Sequence, residues 1–223
     1  YSTLTVSETE IDNTRCTGND IAVIGMAGRF PGAADIEGFW DNLKAGKDSI
    51  VEIPADRWDY RKFYNPNMEE LQDGEIYCKW GGFIDNACMF EPLFFGISPK
   101  EAEMTDPQER IFLETAWAAF EDAGYTRERL KRECGKGNSA NVGVFAGVTS
   151  NTYQLNTPDE WNKGNMVFAN SFPWSIANRV SYCLNLNGPS LAVDTACSSG
   201  LQAVHLAYNS LINGECEMAI AGG

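Results

Sequence analysis

An α/β fold with at least one mostly parallel sheet, covered on both faces, is what the order of apolar patterns predicts. Three observations carry that expectation. Short apolar runs alternate with longer segments of helical periodicity. The runs are bounded by glycine, proline or asparagine, as strand ends are. No internal repeat or low-complexity tract interrupts the alternation.

Residues 21–25, IAVIG, read as a buried strand ending in glycine. Asp35 then has the character of an N-cap for a helix through Phe39, Trp40 and Leu43, closed by Gly46. Gly25 and Gly28 lack the third glycine and the lysine of the nucleotide-binding motifs, so turn geometry explains them. Residues 47–98 are rich in aromatics, proline and glycine, and predict extended loops with a short hairpin around Asp73-Gly74. Trp58, Tyr60, Tyr64 and Trp80 either line a binding surface there or pin the loops to the core.

The helix after Asp106 has the fullest signature. Asp106 is the N-cap, Pro107 the first helical residue, and Glu109 completes a capping-box pattern. Leu113, Trp117 and Phe120 form the apolar stripe, widened by Phe112, Ala116 and Ala119, and Gly124 ends it. Its acidic residues read as a solvated face. Residues 142–148 predict a strand, followed by a loop through Asn162 and a helix over 174–183. A strand over 190–193, a helix over 198–213 stopped by Gly214, and a strand over 217–221 complete the pattern.

The strand at 190–193 runs into Asp194-Thr195-Ala196-Cys197-Ser198-Ser199-Gly200. That order puts Cys197 on a tight strand-to-helix turn, at the positive end of the helix macrodipole. Unpaired backbone N–H groups and the dipole stabilise a thiolate there, by up to ~2 kcal/mol in the most favourable geometry. The competing reading of an isolated cysteine between small residues is a buried hydrophobe. Asp194 reads as an anchor of the turn through bonds to backbone, not as a base.

The VDTACSSG run (residues 193–200) resembles the nucleophile motif of ketosynthase (beta-ketoacyl synthase) domains in modular polyketide synthases. Four more segments match that family in the same order: IAVIGMAGRFPGA (21–33), FEPLFFGISPKEAEMTDPQERIFLETAWAAFEDAGY (90–125), VGVFAGV (142–148) and SIANRVSYCLNLNGPS (175–190). The ANRVSY wording is most similar to synthases whose acyltransferase is a separate protein. Gly200 departs from the family, standing where a third serine is common. The resemblance implies a thiolase-like fold, layered αβαβα in the complete domain, with this chain supplying mainly the first half. Residues 20–223 are then the amino-terminal part of the domain, and residues 1–19 a linker or a remnant of expression. The two histidines and the lysine that the family uses lie in later motifs, none of which matches a segment here.

The same resemblance implies a condensing enzyme of polyketide biosynthesis. Cys197 would accept an acyl chain from the phosphopantetheine arm of an acyl carrier protein, for decarboxylative Claisen condensation with a malonyl-type extender. No tightly bound cofactor is implied. The expected partners are the carrier protein, a second copy in a homodimer and other domains of a multidomain synthase. Phe172 and Trp174 lie in a region that the family places near the acyl pocket and dimer contact; Trp174 either shapes chain preference or packs. Three rival readings stay open. They are a non-elongating ketosynthase that only holds or transfers the chain, a thiolase-type enzyme using coenzyme A thioesters, and a hydrolase elbow. The elbow wants glycines where Thr195 and Ser199 stand.

Composition narrows the classes. With 31 acidic and 17 basic residues, the net charge of −14 opposes nucleic-acid binding, which rests on clustered Lys and Arg. It also opposes docking of an acidic carrier protein unless a local basic patch exists. Arg57, Arg61 and Lys62 are one candidate; the plainer reading is a solvated loop. No apolar run approaches ~20 residues, and the first 20 residues do not have the pattern of a signal peptide. Seven cysteines without close pairing and a single histidine argue against a zinc site and for a reducing cytoplasm. That histidine, His205, sits eight positions beyond Cys197, about 12 Å along one helix at ~1.5 Å per residue. The separation excludes a direct Cys–His pair, and His205 reads as a packed or capped helical residue.

Overall fold

A computed structural model describes residues 19–136 and 139–223. Apart from Asn19, the amino-terminal segment read as a linker or remnant lies outside these residues.

Helix α1 (Ile36–Lys44) starts at Asp35, whose carboxylate accepts the Gly38 N–H. Strands β1 (Ile50–Glu52) and β2 (Trp80–Gly82) form a short antiparallel pair. The residues between them contain two single turns of 3₁₀ helix. A turn does occur at Asp73-Gly74, with Gly74 at positive φ, but it closes no hairpin: β1 and β2 pair across the whole excursion. Helices α2 (Pro99–Glu103), α3 (Pro107–Asp122) and α4 (Arg127–Glu133) follow. Strands β3 (Gly135–Lys136) and β4 (Ser139–Ala140) form a second small antiparallel pair.

The remaining elements build the sheet. They are β5 (Val142–Gly147), α5 (Asn156–Asn162), α6 (Pro173–Leu184), β6 (Ser190–Val193), α7 (Ser199–Ile212) and β7 (Met218–Gly222). The sheet is parallel, in the order β6-β5-β7, with Val144 opposite both Ser190 and Ile220. Central β5 is buried on both faces, as a strand with a helix layer on each side must be. Val142, Val144 and Ala146 join the main core with Leu113 and Phe120 of α3 and Ala177 and Val180 of α6. Phe145, pointing the other way, packs on Ala203 and Ala207 of α7.

Four further expectations need correction. Residues 21–25 form no strand among the described residues, and Val23 is 79% exposed. The end of the segment instead meets the last turn of α3: the Met26 N–H bonds Asp122, and Gly25 sits so close to the Ala119 carbonyl that a Cβ would stand 2.5 Å from it. The stretch after β5 is not a loop through Asn162, because a 3₁₀ turn (Thr152–Leu155) leads into α5. Pro158 in its first turn is compatible with a helix start. Helix α7 begins at Ser199, since Ala196–Ser198 wind as a separate 3₁₀ turn.

The fourth correction concerns α3. Asp106 does cap it, accepting the Gln108 N–H, but Glu109 closes no capping box and faces no solvent. Glu109 is 1% exposed and accepts bonds from Arg179 Nε (2.8 Å) and Asn170 Nδ2 (3.1 Å). A lone buried carboxylate is costly, and the Arg179 guanidinium supplies the compensating charge. Arg179 also reaches Glu101 at 2.7 Å, tying α6 to both α2 and α3. Burial disfavours the Arg179 cation, yet the bonds it donates to Glu109 and Glu101 outweigh it and hold its pKa above the ordinary arginine value.

Candidate active site

Strand β6 ends at Val193, whose carbonyl still accepts the Val148 N–H. The chain then turns through Asp194 and Thr195 into the 3₁₀ turn that carries Cys197, and α7 departs immediately. Cys197 is exposed, which removes the reading of it as a buried hydrophobe. Ala196, just before it, adopts a left-handed conformation at φ 53°. That is uncommon for a residue with a Cβ and persists where surroundings enforce it.

The bonds that hold this turn use the N–H groups on either side of Cys197. Thr195 N–H donates to Ser199 Oγ at 2.9 Å and Ala196 N–H to Asp194 Oδ1 at 3.0 Å. Ser198 N–H donates to the Thr195 carbonyl and Ser199 N–H to that of Ala196. None of these bonds uses the Cys197 N–H. Ser198 does not cap α7; its hydroxyl turns back to Thr195 O and Oγ1. The Cys197 N–H is therefore available to an oxyanion formed at the thiol.

Asp194 anchors the turn as the sequence suggests, and its other contact is the Thr149 hydroxyl at 3.2 Å. The end of β5 lies directly under α7. A Cβ on Gly147 would meet Ser199 C at 2.8 Å and Gly200 N at 2.9 Å, so only glycine permits this approach. A Cβ on Gly200 would meet nothing within 4 Å, so the departure from the family's serine alters no packing.

Phe172 and Trp174 start α6, at 38% and 58% exposure. They stack in series with Phe168, with centroids 5.7 and 5.8 Å apart and rings near parallel. Helix α6 returns the chain between parallel strands, so its first turn lies at the carboxyl edge of the sheet, the edge where Cys197 sits. Ligands of open α/β sheets bind at that edge. The preceding segment is fastened to α3: Asp106 N–H bonds the Asn170 carbonyl, and the Ser171 hydroxyl bonds Asp106 Oδ2 at 2.8 Å.

His205 is exposed on α7 with its Nε2 2.9 Å from Asn209 Nδ2; it is partnered but not packed into a core. In the proposed basic patch, Arg57 donates to the Ile84 carbonyl, while Arg61 and Lys62 share Asp59 at 3.9 Å and stay open to solvent. Among the aromatics of residues 47–98, Tyr60 is buried and bonds Glu52, whereas Trp58 and Trp80 remain largely exposed.

Sequence reasoning did not find Thr149, Ser199 or the Ala196 conformation. Small hydroxyl residues near a turn are too common to stand out, and an alanine in the left-handed region has no local sequence signal.

A model of the N-terminal domain of beta-ketoacyl synthases matches residues 18–223. The chain belongs to that family. Two similar relatives are polyketide synthase PksM of Bacillus subtilis, 53% identical over 211 residues, and polyketide synthase ThaG of Burkholderia thailandensis, 50% identical over 207. These alignments cover 92% and 93% of the chain but only 5% and 4% of the relatives, which are far longer. Among solved structures, the oxazolomycin ketosynthase domain OzmH KS7 of Streptomyces albus JA3453 superposes with a TM-score of 0.82 at 45% identity, over 90% of this chain and 33% of that one. The ketosynthase from module 6 of the bacillaene synthase of Bacillus subtilis 168 gives 0.74 at 42%, over 90% and 30%. The parallel sheet with its flanking helices is thus the beta-ketoacyl synthase, thiolase-like arrangement.

Proposed function

We propose that this chain is the nucleophile-bearing part of a polyketide synthase ketosynthase, and that Cys197 is its acyl acceptor. The observation that carries the proposal is the exposed Cys197 thiol on a strained turn whose own N–H takes no part in holding that turn. In the first step the Cys197 thiolate attacks the thioester carbonyl of an acyl chain on a carrier protein's phosphopantetheine arm. The oxyanion rests on the Cys197 N–H and the helix start. The carbon–sulfur bond to pantetheine breaks, and the pantetheine thiol leaves with a proton. In the second step a malonyl-type extender loses CO2, its carbanion bonds to the acyl carbon, and the Cys197 thiolate is released. The donors for that enolate are the family's two histidines; His205 is not one of them. Phe172 and Trp174 are assigned to the acyl pocket, the carrier protein and a second copy of the synthase are the partners, and the acyltransferase is a separate protein.

The test uses the intact ketosynthase with an acyl-carrier thioester and reads mass. The wild type gains one acyl group and Cys197→Ala gains none; equal gain by both removes Cys197 from the role. Loading without condensation when extender is added would assign the domain to the non-elongating kind.

A further inference from the structure

We infer that Ser199, supported by Thr149, is a positioning residue for the acyl-transfer step. The inference rests on the reading of Cys197 as the nucleophile. The Ser199 side chain is buried and makes two bonds back across Cys197 to the residues before it. Its oxygen accepts the Thr195 N–H at 2.9 Å, and its O–H donates to the Ala196 carbonyl at 2.7 Å. One hydroxyl thereby fixes the Asp194–Thr195 peptide and the Ala196–Cys197 peptide, the second of which carries the Cys197 N–H and follows Ala196, the residue held at φ 53°. Without that staple an alanine relaxes toward negative φ. The Cys197 N–H, one residue on, would then rotate away from the thiol it has to serve.

Thr149 braces the staple from the end of β5. Its Oγ1 lies 3.2 Å from Asp194 Oδ1 and 3.4 Å from Ser199 Oγ. Asp194 in turn holds the Ala196 N–H. Gly147 lets the same strand approach the backbone of Ser199 and Gly200. Strand end, turn and helix start form one hydroxyl-linked unit, and the part of it that matters for chemistry is the direction of the Cys197 N–H.

This predicts a division between two reactions of one thiol. Alkylation by iodoacetamide needs an exposed thiolate and forms no oxyanion. Acyl transfer needs the thiol and the N–H to converge on a carbonyl. In the intact ketosynthase, Ser199→Ala slows acyl loading roughly tenfold, the cost of losing a hydrogen bond that acts in the transition state. Alkylation of Cys197, followed by peptide mass, changes less than about twofold over the same pH range, within the ordinary scatter of surface effects. Thr149→Val, which removes only the brace, gives a smaller loss of loading, and Thr149→Ser gives none. Unchanged loading in Ser199→Ala and Thr149→Val overturns the inference, as does a parallel fall in loading and alkylation. Should Ser199→Ala fail to fold, Thr149→Val against Thr149→Ser decides alone. Cys197→Ala run alongside separates the failures: if it still loads, the nucleophile assignment falls; if it does not, only the staple is at stake.

Discussion

The residues around the β5-centred sheet and the residues before α2 solve the burial problem in different ways. From α3 onward, strand and helix faces close on one another, so that Leu113, Val142, Val144 and Val180 have no exposed surface. Between Asp20 and Phe94, large apolar groups such as Val23, Met26, Trp40 and Leu93 stay mostly exposed. That region meets α3 at a few points: Met26 on Asp122, Arg29 on Glu114, Gly25 against Ala119 and Phe94 edge-on to Trp117. The candidate nucleophile stands on the closed region, where the backbone is fixed on both faces. A strained residue such as Ala196 needs that kind of support.

The sharpest way to break the comparison is to remove an aromatic from each region. Phe120→Ala empties the closed core and costs about 3–5 kcal/mol, whereas Trp40→Ala, from an exposed helix face, costs under about 1 kcal/mol. Urea unfolding monitored by circular dichroism checks both; similar losses would erase the distinction. Next comes the buried ion pair. Glu109→Gln leaves Arg179 short of its buried partner and costs about 3 kcal/mol, the lower end for breaking a buried pair, because Arg179 retains some solvent and Glu101.

Glycines beside the site give a smaller and more local effect. Gly147→Ala drives a methyl into the backbone of Ser199 and Gly200, costing about 1–3 kcal/mol and slowing acyl loading. Gly200→Ser enters open space and stays within about 0.5 kcal/mol. Thermal melts and a loading assay on the pair separate crowding from chemistry.

The smallest effect is in the thiols. Burial pushes the Cys134 and Cys183 thiols up, with the Glu217 and Glu133 charges adding at Cys134. These folded thiols keep their protons above the unfolded value of ~8.5. Their contribution to stability is therefore present below that pH and lost as pH rises through the folded values. At pH 8, iodoacetamide should modify Cys197 well before Cys134 or Cys183. The urea midpoint should fall between pH 8 and 10, and fall less in Cys134→Ala.

Elements with local signals were legible in the sequence. Asp35 and Asp106 cap the helices assigned to them, and the three strands of the parallel sheet lie within a residue or two of expectation. What failed depended on distant partners. Glu109 reads as a capping and solvated residue until Arg179, 70 positions away, is brought against it. The IAVIG segment has a strand's composition, but pairing is not a local property, and its end is set against the last turn of α3 instead. At the site, the position of Cys197 on a strand-to-helix turn was readable from small residues between two periodic patterns. The brace from Thr149 was not, because it reaches residues 45 and 50 positions later.

The central claim, that the Cys197 sulfur is where the acyl chain attaches, is tested most directly by peptide mapping of the loaded ketosynthase. Tandem mass spectrometry should place the acyl mass on Cys197, with Cys183, Ser198 and Ser199 unmodified. An acyl group found on any of those neighbours, with Cys197 free, would contradict the account.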